Sequence, residues 1–250
     1  ITGYGQTGVY KNKAGHDINY LALSGVAGQS GRKQSGPPPM GIQIADVAGG
    51  SLHAIIAILT AVIERQHSGK GQYIDISMTD CSAVLNSMAA AATLAGKKPQ
   101  YREEGLLNGG AFYDYYQTQD ARYLSIGSLE PQFMSGLASI LDLPLLLQLG
   151  NSFNQADQHL LKQAIQEKIS TKTFAEWSAI FADQDVCVEP VLDLEEAFNS
   201  ELAKERQWTV EVPLSVGSEQ TETQLACPIK FSRSKIKYQY IGQKLGTGEW

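Results

Sequence analysis

The side chains able to move protons fall in three places: His16 with Asp17 beside it, Asp46, and Glu130. Imidazole exchanges protons near neutral pH, and a carboxyl shielded from water can hold one there, so the two types together suffice for general acid/base chemistry. His16 follows Gly15 and precedes Asn19, Tyr20 and the small-residue stretch 22–28, where backbone can come close to a ligand. It reads either as such an acid/base group or as a loop histidine paired with Asp17. Asp46 heads an apolar run and also has two readings. It is a plain helix N-cap, or a carboxyl at the positive end of a helix, with the amides of residues 47–49, Gly49 among them, available to a developing oxyanion. Glu130, just before Pro131, is an acid at a helix start with the same ambiguity. His53 lies among apolar residues and reads as a core histidine with a hydrogen-bond partner, while His67 and His159 lie among polar ones and read as solvated. Spacing alone does not assemble these groups.

Two glycine patterns invite a phosphate-binding reading and fail it. Gly3, Gly5 and Gly8 spell G-x-G-x-x-G, yet only Ile1 and Thr2 precede them, residues 9–13 have no helical period, and no acid stands between Asp17 and Asp46 to hold a ribose. Residues 68–72, SGKGQ, lack the Ser or Thr that a P-loop requires after its lysine.

The 250 residues, 43% of them hydrophobic, are enough for one large or two modest domains with real cores. A net charge of −6 with no basic run longer than two residues excludes an electrostatic nucleic-acid or anionic-membrane surface. The apolar run at 54–63 is too short to span a bilayer, and no signal peptide heads the chain. Cys81, Cys187 and Cys227, odd in number and far apart, fit neither a disulfide framework nor a zinc site and indicate a reducing, cytoplasmic setting. The chain starts with Ile1 on a strand-like dipeptide, as if cut from something longer.

The elements that must carry these groups follow from periodicity. Apolar residues recur at helical spacing over 45–66, with Asp46 at the N-cap and Ser68-Gly69 closing the helix, and the nearly uniform apolarity predicts burial. Residues 73–78 alternate and predict a strand, and 79–95 predict a second helix. The order helix, strand, helix indicates an α/β layer. Residues 97–111 are charged and turn-rich and read as a linker. Beyond it, 112–118 and 123–126 predict a hairpin, 132–141 and 156–169 helices, and Thr173 with Glu176 a capping box opening a further helix. Asp193 predicts the cap of a helix through Ala203, and the tail from Trp208 reads as extended.

Seven segments in order, ITGYGQTG, AGHDINYLALSG, IADVAGGSL, SGKGQYIDISMTD, NGGAFYDYYQT, GSLEPQF and DVCVEPVLDLEEAF, resemble the α-methylacyl-CoA racemases of the family III CoA-transferase (CaiB/BaiF) group over nearly the whole chain. The resemblance implies an α/β fold: part of a Rossmann-like large domain at 1–96, a linker at 97–111, a small α+β domain at 112–205 and a return segment at 206–250. It also implies a missing N-terminal portion and an interlocked homodimer with acyl-CoA held between the large domain of one subunit and the small domain of the other. Carried over, His16 and Asp46 match the catalytic histidine and aspartate, Asp17 an acid beside the site, and Glu130 the small-domain carboxylate that partners the histidine. Gly15, Tyr20 and Gly49 fall in the segments that would bind substrate. Val9 stands where the family usually has proline.

The implied activity is racemisation of the α-carbon of 2-methyl-branched acyl-CoA thioesters by 1,1-proton transfer through an enolate. That chemistry needs an acid and a base on opposite faces of the carbon and donors at the thioester oxygen. No cofactor or metal is implied, since CoA is part of the substrate. The rival within the group is a CoA transferase in which the aspartate attacks the thioester, and a rival of another class is a non-catalytic acyl-CoA-binding or dimerisation fragment. Met78, Met88 and Met134 could line an adaptable acyl surface or fill a core.

Overall fold

The structure is a computed structural model that describes residues 1–242. It contains two compact units, Ile1–Pro190 and a second beginning at Val191.

In the first unit the opening glycines form a loop. Gly5 and Gly8 have φ of 84° and 78°, and no helix follows until α1, Asp17–Leu23, so the context of a dinucleotide fingerprint is absent. Gly5 N donates to Thr2 Oγ1 and Gln6 N to Asp75 Oδ2, at 2.9 and 2.8 Å. A short helix α2, Val26–Gln29, follows.

The apolar run is helical but differs from expectation in three respects. Ala45–Leu52 is wound as a π-helix before continuing as α3, His53–Ser68. The widened turns bring Gly49 and Gly50 against α4, Met78–Leu85, where a β-carbon on Gly49 would stand 3.0 Å from Met78 O and from Ser82 Oγ. Asp46 lies inside the first turn rather than at the N-cap, which is Ile44. The predicted burial is also wrong: within α3 only Ala54 is buried, and Ile56, Leu59 and Ile63 are 60%, 58% and 58% exposed. Uniform apolarity signals burial only where something covers every side of the helix, and among the described residues most of α3 has no cover. By length and composition alone Ala45–Ser68 is long and apolar enough to cross a membrane, which the shorter run at 54–63 did not reveal. His53 has the expected hydrogen-bond partner, its Nδ1 donating to Ala48 O at 2.6 Å, but it is half-buried rather than a core residue.

Residues 73–78 do not form the predicted strand. Their only extended pairing among the described residues is the Thr2–Ser77 bridge, with Thr2 N donating to Ile76 O and Met78 N to Thr2 O. The helix expected over 79–95 breaks at Asn86 into α4 and α5, Ser87–Leu94. Residues 97–111 are turns that hydrogen-bond to the α2 region: Arg102 donates to Ser30 O and Ala27 O, and Asn108 to Gln29 O.

The remainder of this unit follows the periodicity closely. β1, Asp114–Gln117, and β2, Tyr123–Ile126, form the predicted hairpin, and β3, Val188–Pro190, adds to β2 to give an antiparallel sheet in the order β1-β2-β3. Helices α6 (Pro131–Ile140), α7 (Leu145–Leu149), α8 (Gln155–Ile169) and α9 (Phe174–Phe181) pack with it around one core that includes Phe112, Leu124, Leu137, Leu161, Ile165 and Trp177. Each such side chain contributes about 1.5–3 kcal/mol by leaving water. The polar groups caught in this core are satisfied. Gln158 accepts from Phe112 N and donates to Leu149 O and Ser152 O, and Trp177 Nε1 donates to Ile169 O.

In the second unit Asp193 caps α10, Leu194–Asn199, and Ser200 caps α11, Glu201–Arg206, so the single helix expected through Ala203 is two. β4, Thr209–Pro213, pairs antiparallel with β5, Thr221–Leu225.

Candidate active site

His16 is the last residue before α1 and is exposed. Its peptide is held on both sides. His16 N donates to Asn19 Oδ1 at 3.0 Å, Asn19 N returns to His16 O at 2.8 Å, and the Tyr20 hydroxyl donates to Gly15 O. Gly15 is required for this approach: a β-carbon there would meet Tyr4 Oη at 2.5 Å and the Tyr20 ring at 2.8 Å. Tyr4 and Tyr20 pack edge to face, with ring centroids 5.2 Å apart. Tyr4 had no marker in the sequence beyond its place in the glycine loop.

The neighbouring Asp17 is buried. Its Oδ1 accepts from Ala45 N at 2.6 Å and from Asp46 N at 3.1 Å. The carboxylate therefore caps the helix that carries Asp46, from 29 positions upstream, and satisfies amides that this helix cannot satisfy itself. Two consequences follow. The start of α1 and the backbone of the half-buried Asp46 are joined through one carboxylate. The amides just after Asp46 are not all open to an oxyanion, because Val47 N donates to Gln43 O at 3.0 Å. The phenol of Tyr20 is pushed up by burial, then by Tyr4 and by Asp46, which places Asp46 in the same electrostatic neighbourhood as Tyr20.

Gly49 is packed on α4 and serves close helix approach. Glu130 is the N-cap of α6 and its charge acts on Cys187, whose thiol is raised by burial first and then by Glu130. Among the described residues no hydrogen bond or ion pair links Glu130 to His16. Hydrogen bonds thus link Gly15 and His16 to Tyr20 and the Asp17 carboxylate to the backbone of Asp46, and among the described residues none links Glu130 to this group.

A cavity of about 670 Å³ adjoins the group, lined by Leu21 of α1, Ile44, and Leu85, Met88 and Ala92 of α4 and α5. Of the three methionines singled out in the sequence, Met88 lines this cavity, Met134 is core, and Met78 packs against Gly50. A second feature went unseen in the sequence. Arg32 pairs bidentately with Asp114 at 2.6 and 2.7 Å, and Lys162 reaches the same carboxylate at 2.7 Å. Burial pushes the Asp114 carboxyl up, but Arg32 and Lys162 outweigh it and hold the group below its ordinary value. Among the described residues no cluster of His, Cys, Asp and Glu could hold a metal ion.

Comparison with known proteins places these features in a group. The family model for CoA-transferase family III matches residues 1–246. Over 208 residues the chain is 40% identical to mouse alpha-methylacyl-CoA racemase, covering 82% of this chain and 54% of that protein. It is 28% identical to mouse succinyl-CoA:glutarate CoA-transferase, over 80% of this chain and 46% of that one. The crystal structure of a CaiB/BaiF family protein from Brucella suis superposes with a TM-score of 0.77 at 26% identity, covering 98% of this chain and 63% of that one. The chain spans about half the length of the curated relatives it matches.

Proposed function

We propose, for a chain that belongs to CoA-transferase family III and shares its α/β fold, that it forms part of an isomerase that inverts the α-carbon of 2-methyl-branched acyl-CoA thioesters. The observation that supports this reading is the Asp17 carboxylate bound to Asp46 N, which links the backbone that carries Asp46 to the residue next to the exposed His16. In the proposed reaction His16, neutral, takes the α-proton from one face. The C–H electron pair enters the new C=C bond and the thioester oxygen takes up the negative charge. Asp46, protonated, then returns a proton to the opposite face, the enolate collapses to the thioester, and the two groups exchange roles for the reverse direction. Among the described residues no hydrogen bond or ion pair links Glu130 to His16, and its orienting role is assigned to a homodimer in which the partner supplies it. The apolar part of the cavity, at Leu21 and Met88, suits an acyl chain, and Lys97 and Lys98 line the same cavity. Greater identity to the racemase than to the transferase supports proton transfer over CoA transfer.

The experiment incubates the intact protein with a 2-methylacyl-CoA in D2O, with and without a free carboxylate. Deuterium entering the α-carbon without transfer of CoA to the carboxylate supports the proposal. CoA transfer without deuterium entry would assign Asp46 to nucleophilic attack on the thioester instead.

A further inference from the structure

The second unit carries a cleft of about 460 Å³, within the size range of small-molecule sites, that the proton-transfer chemistry does not use. Its aromatic wall is Phe198 of α10 and Trp208, rings edge to face with centroids 5.9 Å apart. The indole is held in place by the backbone on either side of it. Gln207 ends α11 in the left-handed region, at φ 53°, so the chain turns sharply there, and Trp208 N donates to Ala203 O at 3.0 Å. Trp208 O in turn accepts from Ala226 N at 2.8 Å, beside Leu225 at the end of β5. Trp208 is nonetheless 37% exposed, so part of the residue is left uncovered.

Among the described residues two cations, Arg206 and Lys230, line the same cleft, and no carboxylate does. Neither cation makes a hydrogen bond or ion pair among the described residues. The side-chain amide of Gln207, also in the lining, offers both a donor and an acceptor. Stacking on an indole favours a flat ring and tolerates many ring types. Guanidinium and ammonium groups favour phosphate, the guanidinium by a two-pronged hydrogen bond. Positive lining without acids disfavours cationic ligands such as metal ions. A ligand that meets all of these conditions has a planar heteroaromatic ring with edge hydrogen-bonding groups and one or more phosphates.

We propose that this cleft is a binding site for a purine nucleotide, its base against Trp208 and Phe198 and its phosphates on Arg206 and Lys230. The same chemistry has two sources, a free nucleotide and the nucleotide end of a CoA thioester. This site is argued from the second unit alone and does not depend on the assignment of His16 and Asp46.

The test is calorimetric titration of the intact protein with ADP, CoA, adenosine and inorganic phosphate, repeated on the double variant Arg206→Gln/Lys230→Gln and on Trp208→Ala. Circular dichroism checks that each variant is folded. The double variant alters only side chains with no partner among the described residues, so it keeps the test informative if Trp208→Ala does not fold. ADP is expected to bind the wild type at least tenfold more tightly than adenosine or phosphate, and the double variant to lose at least tenfold for ADP. A matching loss for CoA identifies the CoA end as the source, and retained CoA binding with lost ADP binding identifies a free nucleotide. No ADP binding at millimolar concentration, or ADP binding unchanged in the double variant, overturns the proposal.

Discussion

Residues 112–190 and the residues before them fold by different means. The later region buries seventeen residues in one cluster, whereas the largest cluster of the earlier region has three, Tyr20, Leu21 and Ala45, and leaves the faces of α3 open. The region that carries His16, Asp17 and Asp46 is therefore held less by packing than by placed polar contacts. Those contacts are Asp17 on the helix amides, Tyr20 on Gly15, Thr2 against residues 76–78, and Arg32 on Asp114. A site held by hydrogen bonds keeps its geometry only while each acceptor is present, but a packed core loses stability in proportion to the volume removed.

Substitutions can break or sharpen this contrast. The largest effect is expected in the packed region, where Leu137→Ala should destabilise by about 2–5 kcal/mol in urea unfolding, through lost burial and the cavity left behind. A value under about 1 kcal/mol would deny that this core dominates. Next comes Asp17→Ala, which leaves Ala45 N and Asp46 N without their acceptor and should cost about 1–3 kcal/mol. Asp17→Asn keeps an acceptor oxygen and should recover part of that loss, and equal losses in the two variants would show that the cap matters little.

How far the sequence anticipated all this divides along the same line. The helix at Gln155–Ile169, the hairpin of β1 and β2 and the Thr173–Glu176 capping box depend on neighbours within a few positions, and local periodicity reveals them. The cap on Asp46 comes from Asp17, so the local rule assigned the capping role to the wrong aspartate. Alternation in 73–78 predicted a strand, but pairing needs a neighbouring strand, and only the bridge at Thr2 is there. The π-type winding at Ala45–Leu52 follows from how Gly49 and Gly50 meet α4, a contact with no periodic signature. His16 and Asp46 were legible as residue types, and the link from Asp17 to the backbone of Asp46 was not.

Smaller effects refine the comparison. Asp114 is held below its ordinary value of 3.8 in the folded chain. The sign follows from linkage: a depressed carboxyl stabilises the fold fully above its unfolded value, and that contribution is lost as pH falls through the folded one. Asp114→Asn should thus cost about 1 kcal/mol at pH 7, modest because Arg32 is 43% exposed, and the gap to wild type should narrow toward pH 3. A gap that widens on acidification would contradict the ion-pair reading. Smallest of all, Leu59→Ala on the open face of α3 should change unfolding stability of this chain by no more than about 0.5 kcal/mol. A cost comparable to Leu137→Ala would mean that this face is covered in solution.

Exchange of the α-proton of a 2-methylacyl-CoA with D2O, followed by NMR for wild type, His16→Ala and Asp46→Ala in the intact protein, tests directly whether the imidazole and the carboxyl act on one carbon. Deuterium entry in the wild type and a loss of at least about 100-fold in each folded variant is the predicted result. Wild-type exchange in either variant would contradict it.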